Sequence, residues 1–202
     1  MEIRELTIPG AWEISPVQRT DDRGVFLEWY RYDKLREAVG HPLDLRQANT
    51  SVSKRGVVRG IHFADIPRGQ AKYVTVTHGA VLDYVIDIRV GSPTFGQWDS
   101  VLLDTVDRRA IYIGEGLGHA FVALTDDATV SYLVSDTYNP TAERGLDPLD
   151  SHVGLVFPEE AGEPLLSPKD TDAPTLAEAA ELGILPTWDA VQDYYSQLSG
   201  GN

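Results

Sequence analysis

From Gln47 to Val134 the chain breaks into short β-rich runs separated by turns of Gly, Pro, Asn and Asp. The runs are Gln47 to Ser53, Tyr73 to Thr77, Ala80 to Val90, Trp98 to Leu103, Ala110 to Ile113, Ala120 to Leu124 and Thr129 to Val134. Such short strands at regular spacing predict a sandwich or barrel, not a parallel βαβ sheet, whose crossovers need helices between strands. In Ala80 to Val90, Leu82, Tyr84, Ile86 and Ile88 share one face and Asp83, Asp87 and Arg89 the other. Upstream, residues 2 to 8 and Val25 to Tyr32 read as further strands, with Asp21-Asp22-Arg23-Gly24 as a turn. Asp33 is placed to cap a short helix, DKLREAV, that stops at Gly40.

The C-terminus follows a different pattern. Leu176 to Leu182 reads as a helix stopped by Gly183, and Thr187 as the cap of a last helix, WDAVQDYYSQL. Both are expected outside the barrel, as a helical extension over 175–198 of a single domain spanning 1–202, with Ser199 to Asn202 frayed.

Composition excludes several classes of function. The net charge of -14 would repel DNA or RNA, so no nucleic-acid partner is expected. A local basic cluster can still hold a small anion, because salt screens distant charges over about 8 Å. There is no cysteine, hence no disulfide, thiolate ligand or cysteine nucleophile, which fits a cytoplasmic protein. No stretch is apolar enough to span a bilayer, and the N-terminus does not read as a signal peptide.

Chemistry concentrates around GVVRGIHFADIPRGQAK, from Gly56 to Lys72, which carries Arg59, His62 and Lys72. These residues either project into one anion-lined cavity or decorate a solvated strand. A metal-binding barrel would need a second histidine two residues after His62, but Ala64 stands there, and the later carboxylate slot falls on Arg68 or Gly69. With His119 in GLGHAF, two ligands of four remain, too few for a tight site. Without metal, His62 and His119 are candidate acid–base groups near neutral pH. A histidine base needs a carboxylate to steady its positive charge, and Asp83, Asp87, Asp150 and Asp170 are all available. Tyr132 on TVSYLV is a core tyrosine or a proton donor. No Gly-x-Ser-x-Gly elbow, P-loop or Gly-x-Gly-x-x-Gly sequence is present.

Taken in order, DDRGVFLE, QANTSVSKRGVVRGIH, QAKYV, DYVIDIRVGSPTFGQW, GLGHAF, VSYLVSDTYNPTAERG and LLSPKD resemble the dTDP-4-dehydrorhamnose 3,5-epimerase (RmlC-like) family. The resemblance covers roughly Asp21 to Leu176. It implies a mainly β cupin jelly roll (a double-stranded β-helix), a homodimer, no cofactor, and a dTDP-linked 4-keto-6-deoxysugar as substrate. It implies His62 as base, Asp170 as its carboxylate partner, Lys72 at the C4 oxygen and Tyr132 as the acid on the opposite face. Arg59, His119, Gln47, Asn49, Tyr138, Glu143 and Lys169 fall at substrate-binding positions. Arg23 and Glu28 fall at positions that the family supplies to the nucleotide across the dimer, and Phe26 between them is a further substrate-binding position.

Departures are RGIHFA for the more usual RGLHFQ, the GLGHAF segment, LDPLDS after Glu143, and the long tail. They suggest the branch making deoxysugars for secondary metabolites, and leave open inversion at C3, C5 or both. Two other readings are a non-catalytic nucleotide-sugar binder and a 3,4-ketoisomerase. The presence of both His62 and Tyr132 argues against the binder, and the placement of the histidines fits the ketoisomerase less well.

Overall fold

The computed structural model describes residues 1–200. The strands are β1 Glu2–Glu5, β2 Ala11–Ser15, β3 Arg19–Asp21, β4 Gly24–Phe26, β5 Gln47–Ser53, β6 Val58–Ala64, β7 Lys72–His78 and β8 Ala80–Ile86. They continue with β9 Trp98–Asp104, β10 Ala110–Ile113, β11 Gly118–Ala123, β12 Ala128–Val134 and β13 Glu143–Gly145. The helices are α1 Tyr32–Val39, α2 Pro168–Thr171, α3 Leu176–Glu181 and α4 Trp188–Gly200. One antiparallel sheet runs β1-β2-β10-β7-β12-β5, and the facing one β13-β6-β11-β8-β9. Together they form a mainly β jelly roll, with β3 and β4 as a separate hairpin.

Three apolar layers follow from strand alternation. Val74, Val76, Val85, Leu103, Ile111, Phe121 and Val130 fill the space between the sheets. Each such side chain contributes about 1.5–3 kcal/mol when withdrawn from water. On the outer face of the six-stranded sheet, Tyr73, Tyr112 and Ile14 pack with Leu35 of α1. On the outer face of the five-stranded sheet, Tyr84, Ile86, Ala120 and Val122 are covered by Leu146, Val153, Leu176 and Leu185 from the C-terminal third. Strands β8 and β11 are therefore buried on both faces. No helix of the described residues is long and apolar enough to cross a membrane.

Several elements differ from the sequence reading. Of Val25 to Tyr32, only Val25 and Phe26 are in a strand, within β4. Trp29 and Tyr30 instead pack edge-on against Tyr73, at 5.9 and 5.2 Å, and the Tyr73 hydroxyl donates to the Trp29 carbonyl. Aromatic packing thus replaces a strand ladder. Asp33 does not cap α1. It lies in the first turn and its carboxylate is held by Arg31, while Gly40 ends the helix as expected at φ 93. The Ala80 to Val90 run leaves the sheet after Ile86, because the Asp87 carboxylate accepts from the Arg89 backbone and guanidinium and from Ser92 and Thr94. Of the opening strand expected over residues 2 to 8, Glu2–Glu5 form β1, and two strands that were not expected, β2 and β3, follow it. Thr175 and Glu178 form a capping box on α3, and Thr187 accepts from the Ala190 N–H at the start of α4. Helix α4 continues through Ser199 and Gly200; the rest of the expected frayed tail lies outside the described residues.

Candidate functional site

On a regular strand, residues three apart point to opposite faces. Arg59 and His62 nevertheless share one. In the β6–β11 ladder His119 pairs with His62 and Phe121 with Arg59, so two steps on β11 match three on β6. This bulge brings both side chains to the inner face. Its cause is Gly60, at φ +120, whose backbone lies so close to β11 that an added Cβ would meet the His119 carbonyl oxygen at 2.4 Å. Only glycine fits there.

His62 meets Asp170, which arrives on α2. Ser167 caps that short helix and Pro168 opens it. His62 Nε2 lies 2.7 Å from Asp170 Oδ1, and Ser167 Oγ donates to Asp170 Oδ2 at 2.8 Å. Burial alone would raise the Asp170 carboxyl, but the bonds from His62 and Ser167 outweigh it and hold the group below the ordinary aspartate range. An ionised Asp170 is an acceptor only, so in the neutral ring Nε2 carries the proton and the other ring nitrogen the lone pair. A cleft of about 330 Å³ opens beside the pair, lined also by Arg59, Leu166 and Lys169.

His119 forms a second pair one strand over. Its Nε2 lies 3.0 and 2.9 Å from the two oxygens of Asp83, which is fully buried on β8. Burial raises the Asp83 carboxyl, and His119 pulls it back. Each aspartate that the sequence left open thus finds its place. Asp170 serves His62 and Asp83 serves His119, while Asp87 pairs with Arg89 and Asp150 with the exposed His152.

The facing sheet supplies Lys72 on β7 and Tyr132 on β12. In register, Val134 lies opposite both Lys72 and Gln47, and Tyr132 opposite both Val74 and Asn49, so all four polar residues share the inner face. Lys72 is buried and donates to Gln70 Oε1 at 3.0 Å. Desolvation lowers its pKa, and the Glu143 and Glu115 carboxylates oppose that. The Tyr132 hydroxyl is raised by burial and by Glu143, against Arg59 and a bond from Asn49. Gln47 donates to Asn49 and accepts from the Tyr138 N–H, which places Tyr138 at the exposed rim. Arg59 is tied to Ser53 of β5 at 3.1 Å, linking the two sheets. Glu143, on β13, pairs with Ala64 at the end of β6.

Arg23, Phe26 and Glu28 do not join this cluster within one chain. Arg23 is ion-paired with Asp21 at the tip of the β3–β4 hairpin, Glu28 accepts from Arg31, and Phe26 is 65% exposed. Among the described residues no group of three or more His, Asp or Glu side chains is gathered as a metal ion would need. The sequence reading missed Ser167, Ser53 and Gln70, whose roles exist only in three dimensions. Asp83 was legible as sharing a strand face with Asp87 and Arg89, but not as the inward one.

A family model described as dTDP-4-dehydrorhamnose 3,5-epimerase matches residues 5–178. A dTDP-4-dehydrorhamnose 3-epimerase from Streptomyces niveus is 57% identical over 95% of this chain and 92% of its own length. A dTDP-4-dehydrorhamnose 3,5-epimerase from Mycolicibacterium smegmatis is 58% identical over 98% of this chain and 97% of its own. Among solved structures, ChmJ, a 3'-monoepimerase from Streptomyces bikiniensis in complex with dTDP-quinovose, superposes with a TM-score of 0.94 at 47% identity, covering 97% of this chain and 98% of that one.

Proposed function

The chain belongs to the dTDP-4-dehydrorhamnose 3,5-epimerase family, and from that premise we propose that it inverts a carbon next to the C4 ketone of a dTDP-linked 4-keto-6-deoxyhexose. One observation carries the assignment of roles: His62 and Tyr132 project from opposite sheets into the same interior. A flat enolate held between them would have a base on one face and a donor on the other.

His62 takes the α-proton on the nitrogen left free by Asp170, and the Asp170 carboxylate stabilises the imidazolium that results. The electron pair moves onto the C4 oxygen. Lys72 supplies positive charge there, in a site where water is scarce and a charge acts strongly. Tyr132 then protonates the carbon from the other face, and solvent restores both groups. Only protons move, so the reaction requires no cofactor. Arg59, His119, Gln47, Asn49, Tyr138, Glu143 and Lys169 position the sugar nucleotide. Arg23, Phe26 and Glu28 reach the nucleotide of a second copy in a homodimer, a reading that the exposed hairpin supports.

The relatives do not choose the carbon, since two of nearly equal identity are named as a 3-epimerase and a 3,5-epimerase. Incubation with dTDP-4-keto-6-deoxyglucose in D2O, read by NMR, decides it. Deuterium at C3 alone, C5 alone or both gives the regiochemistry, and no exchange at either carbon would overturn the epimerase reading.

A further inference from the structure

Glu115 has no part in that chemistry, yet it is a carboxyl 3% exposed behind Lys72. Strand β7 lies between β10 and β12, and Lys72 pairs with Ile113 on one side and Val134 on the other. Glu115 follows Ile113 by two residues and Ser135 follows Val134 by one, so all three sit at the same end of adjacent strands. Ser135 Oγ donates to Glu115 Oε1 at 3.2 Å and accepts from the Ala71 N–H at 2.8 Å. Glu115 Oε2 has no hydrogen-bond partner among the described residues. The hydrogen-bond partner of the Lys72 ammonium is the neutral Gln70. A buried ammonium and a half-satisfied buried carboxyl thus face each other, and both are costly alone.

Helix α4 keeps this end dry. The Tyr195 hydroxyl donates to the Glu115 carbonyl at 2.8 Å. Val191 fills the space beside Gly116, where a Cβ would meet it at 2.5 Å. Arg89 stacks on Trp188 at 4.6 Å and fixes the start of the helix.

We propose that Glu115 is a positioning residue that keeps Lys72 charged from behind, and that the cover of α4 makes its charge effective; this rests on Lys72 as the group that stabilises the enolate. The groups facing Glu115 are Lys72 from β7, Tyr112 from β10, and Tyr194 and Tyr195 from α4. Glu143 acts on Lys72 from β13, and Asp136, Arg68 and Asp44 act on Tyr194. Burial raises all three phenols, so they stay neutral and Glu115 is the titrating group on this side. Desolvation raises the Glu115 carboxyl to about 7, against a bond from its own backbone N–H, the Ser135 bond and, least, the Lys72 charge. Above that pH the carboxylate is ionised and favours the charged amine.

The test is NMR titration of the protein labelled at lysine Cε, with Lys34, Lys54 and Lys169 as internal references. Glu115→Gln keeps shape and removes charge, so the Lys72 titration should fall by about one pH unit, tenfold in the ratio of charged to neutral amine. The alkaline limb of kcat/KM should move down with it, which a merely structural role would not do. A Lys72 titration unmoved in Glu115→Gln overturns the proposal. If that variant does not fold, coupling must appear in reverse, because linkage is reciprocal: Lys72→Met should raise the Glu115 carboxyl titration, and an unmoved one overturns the proposal equally. The titrations need no substrate. A wild type that exchanges no deuterium would sink the epimerase reading while leaving this coupling to be decided.

Discussion

Replacing Asp170 by Asn tests the base assignment more sharply than removing His62, because the structure dictates which way the new amide must point. Ser167 Oγ accepts from the Asp170 N–H, so its own hydrogen is committed to the Oδ2 position. In Asp170→Asn that position must be the amide oxygen. The amide NH2 then occupies the place of Oδ1 and faces His62 Nε2, donor against donor. The ring can answer only by moving its proton to the other nitrogen, the one that must be bare to act as base. Loss of the charge adds to this. Two unit charges about 4 Å apart attract by about 4 kcal/mol at an effective dielectric of about 20. His62 is one-third exposed, so roughly half of that survives screening, and about 2 kcal/mol corresponds to about 30-fold in rate. With the wrong tautomer included, deuterium exchange should slow by roughly 10³, inside the range of about 10²–10⁴ seen for general acid–base groups. Exchange is followed by NMR in D2O, with dTDP binding by calorimetry as the control for an intact site. Adding Ser167→Ala frees the amide to flip, and the double variant should exchange faster than Asp170→Asn alone. A loss under threefold, or a double variant no faster than the single, would refute the tautomer argument.

Three more outcomes follow from the same geometry. Tyr132→Phe should still wash deuterium into the substrate while giving little inverted product, so the ratio of exchange to inversion rises; equal losses would make Tyr132 an aligning group only. Gly60→Ala should cost at least about 2 kcal/mol in urea unfolding, from the positive φ and the clash with His119, and should abolish exchange; a wild-type midpoint would remove the bulge argument. Arg23→Ala should weaken dTDP binding more than saturated turnover, and heterodimers of Arg23→Ala with His62→Ala should recover activity in native-gel-verified mixtures; none recovered would place each site within one chain.

The sequence conveyed the strands and their polar and apolar faces, but not which face would be inside. In β5 and β12 the register puts Gln47, Asn49 and Tyr132 on one surface, as alternation alone implies. In β6 the same rule misleads, because the approach of Gly60 to β11 inserts a residue and brings Arg59 round to His62. Such closeness is a property of two strands almost 60 positions apart in the chain, and no local pattern carries it. The choice among four aspartates was equally non-local: spacing is silent on partners, and only the motif resemblance pointed to Asp170. The aromatic run after Phe26 looked like a strand because strand formers are also good packers, and Tyr73 captured them instead.

The C-terminal third accounts for how a barrel can carry so polar an interior. Arg59, His62, Asp83 and His119 occupy inward positions on β6, β8 and β11 that an ordinary sandwich would fill with Val or Leu. Each polar substitution there forgoes about 1.5–3 kcal/mol of apolar burial. The same strands recover it on their outer faces, where Tyr84, Ile86, Val122 and Phe63 lie under Leu146, Val153, Leu176 and Leu185. That covering segment also brings Ser167 and Asp170 to His62. The residues that cover the sheet are thus continuous in chain with the residue that orients the proposed base. A lesion in the cover, such as Leu176→Ala, should therefore loosen the Asp170–His62 contact as well as lower stability. The site and its support are continuous in chain, so a packing defect in the cover reaches the site as well as the fold.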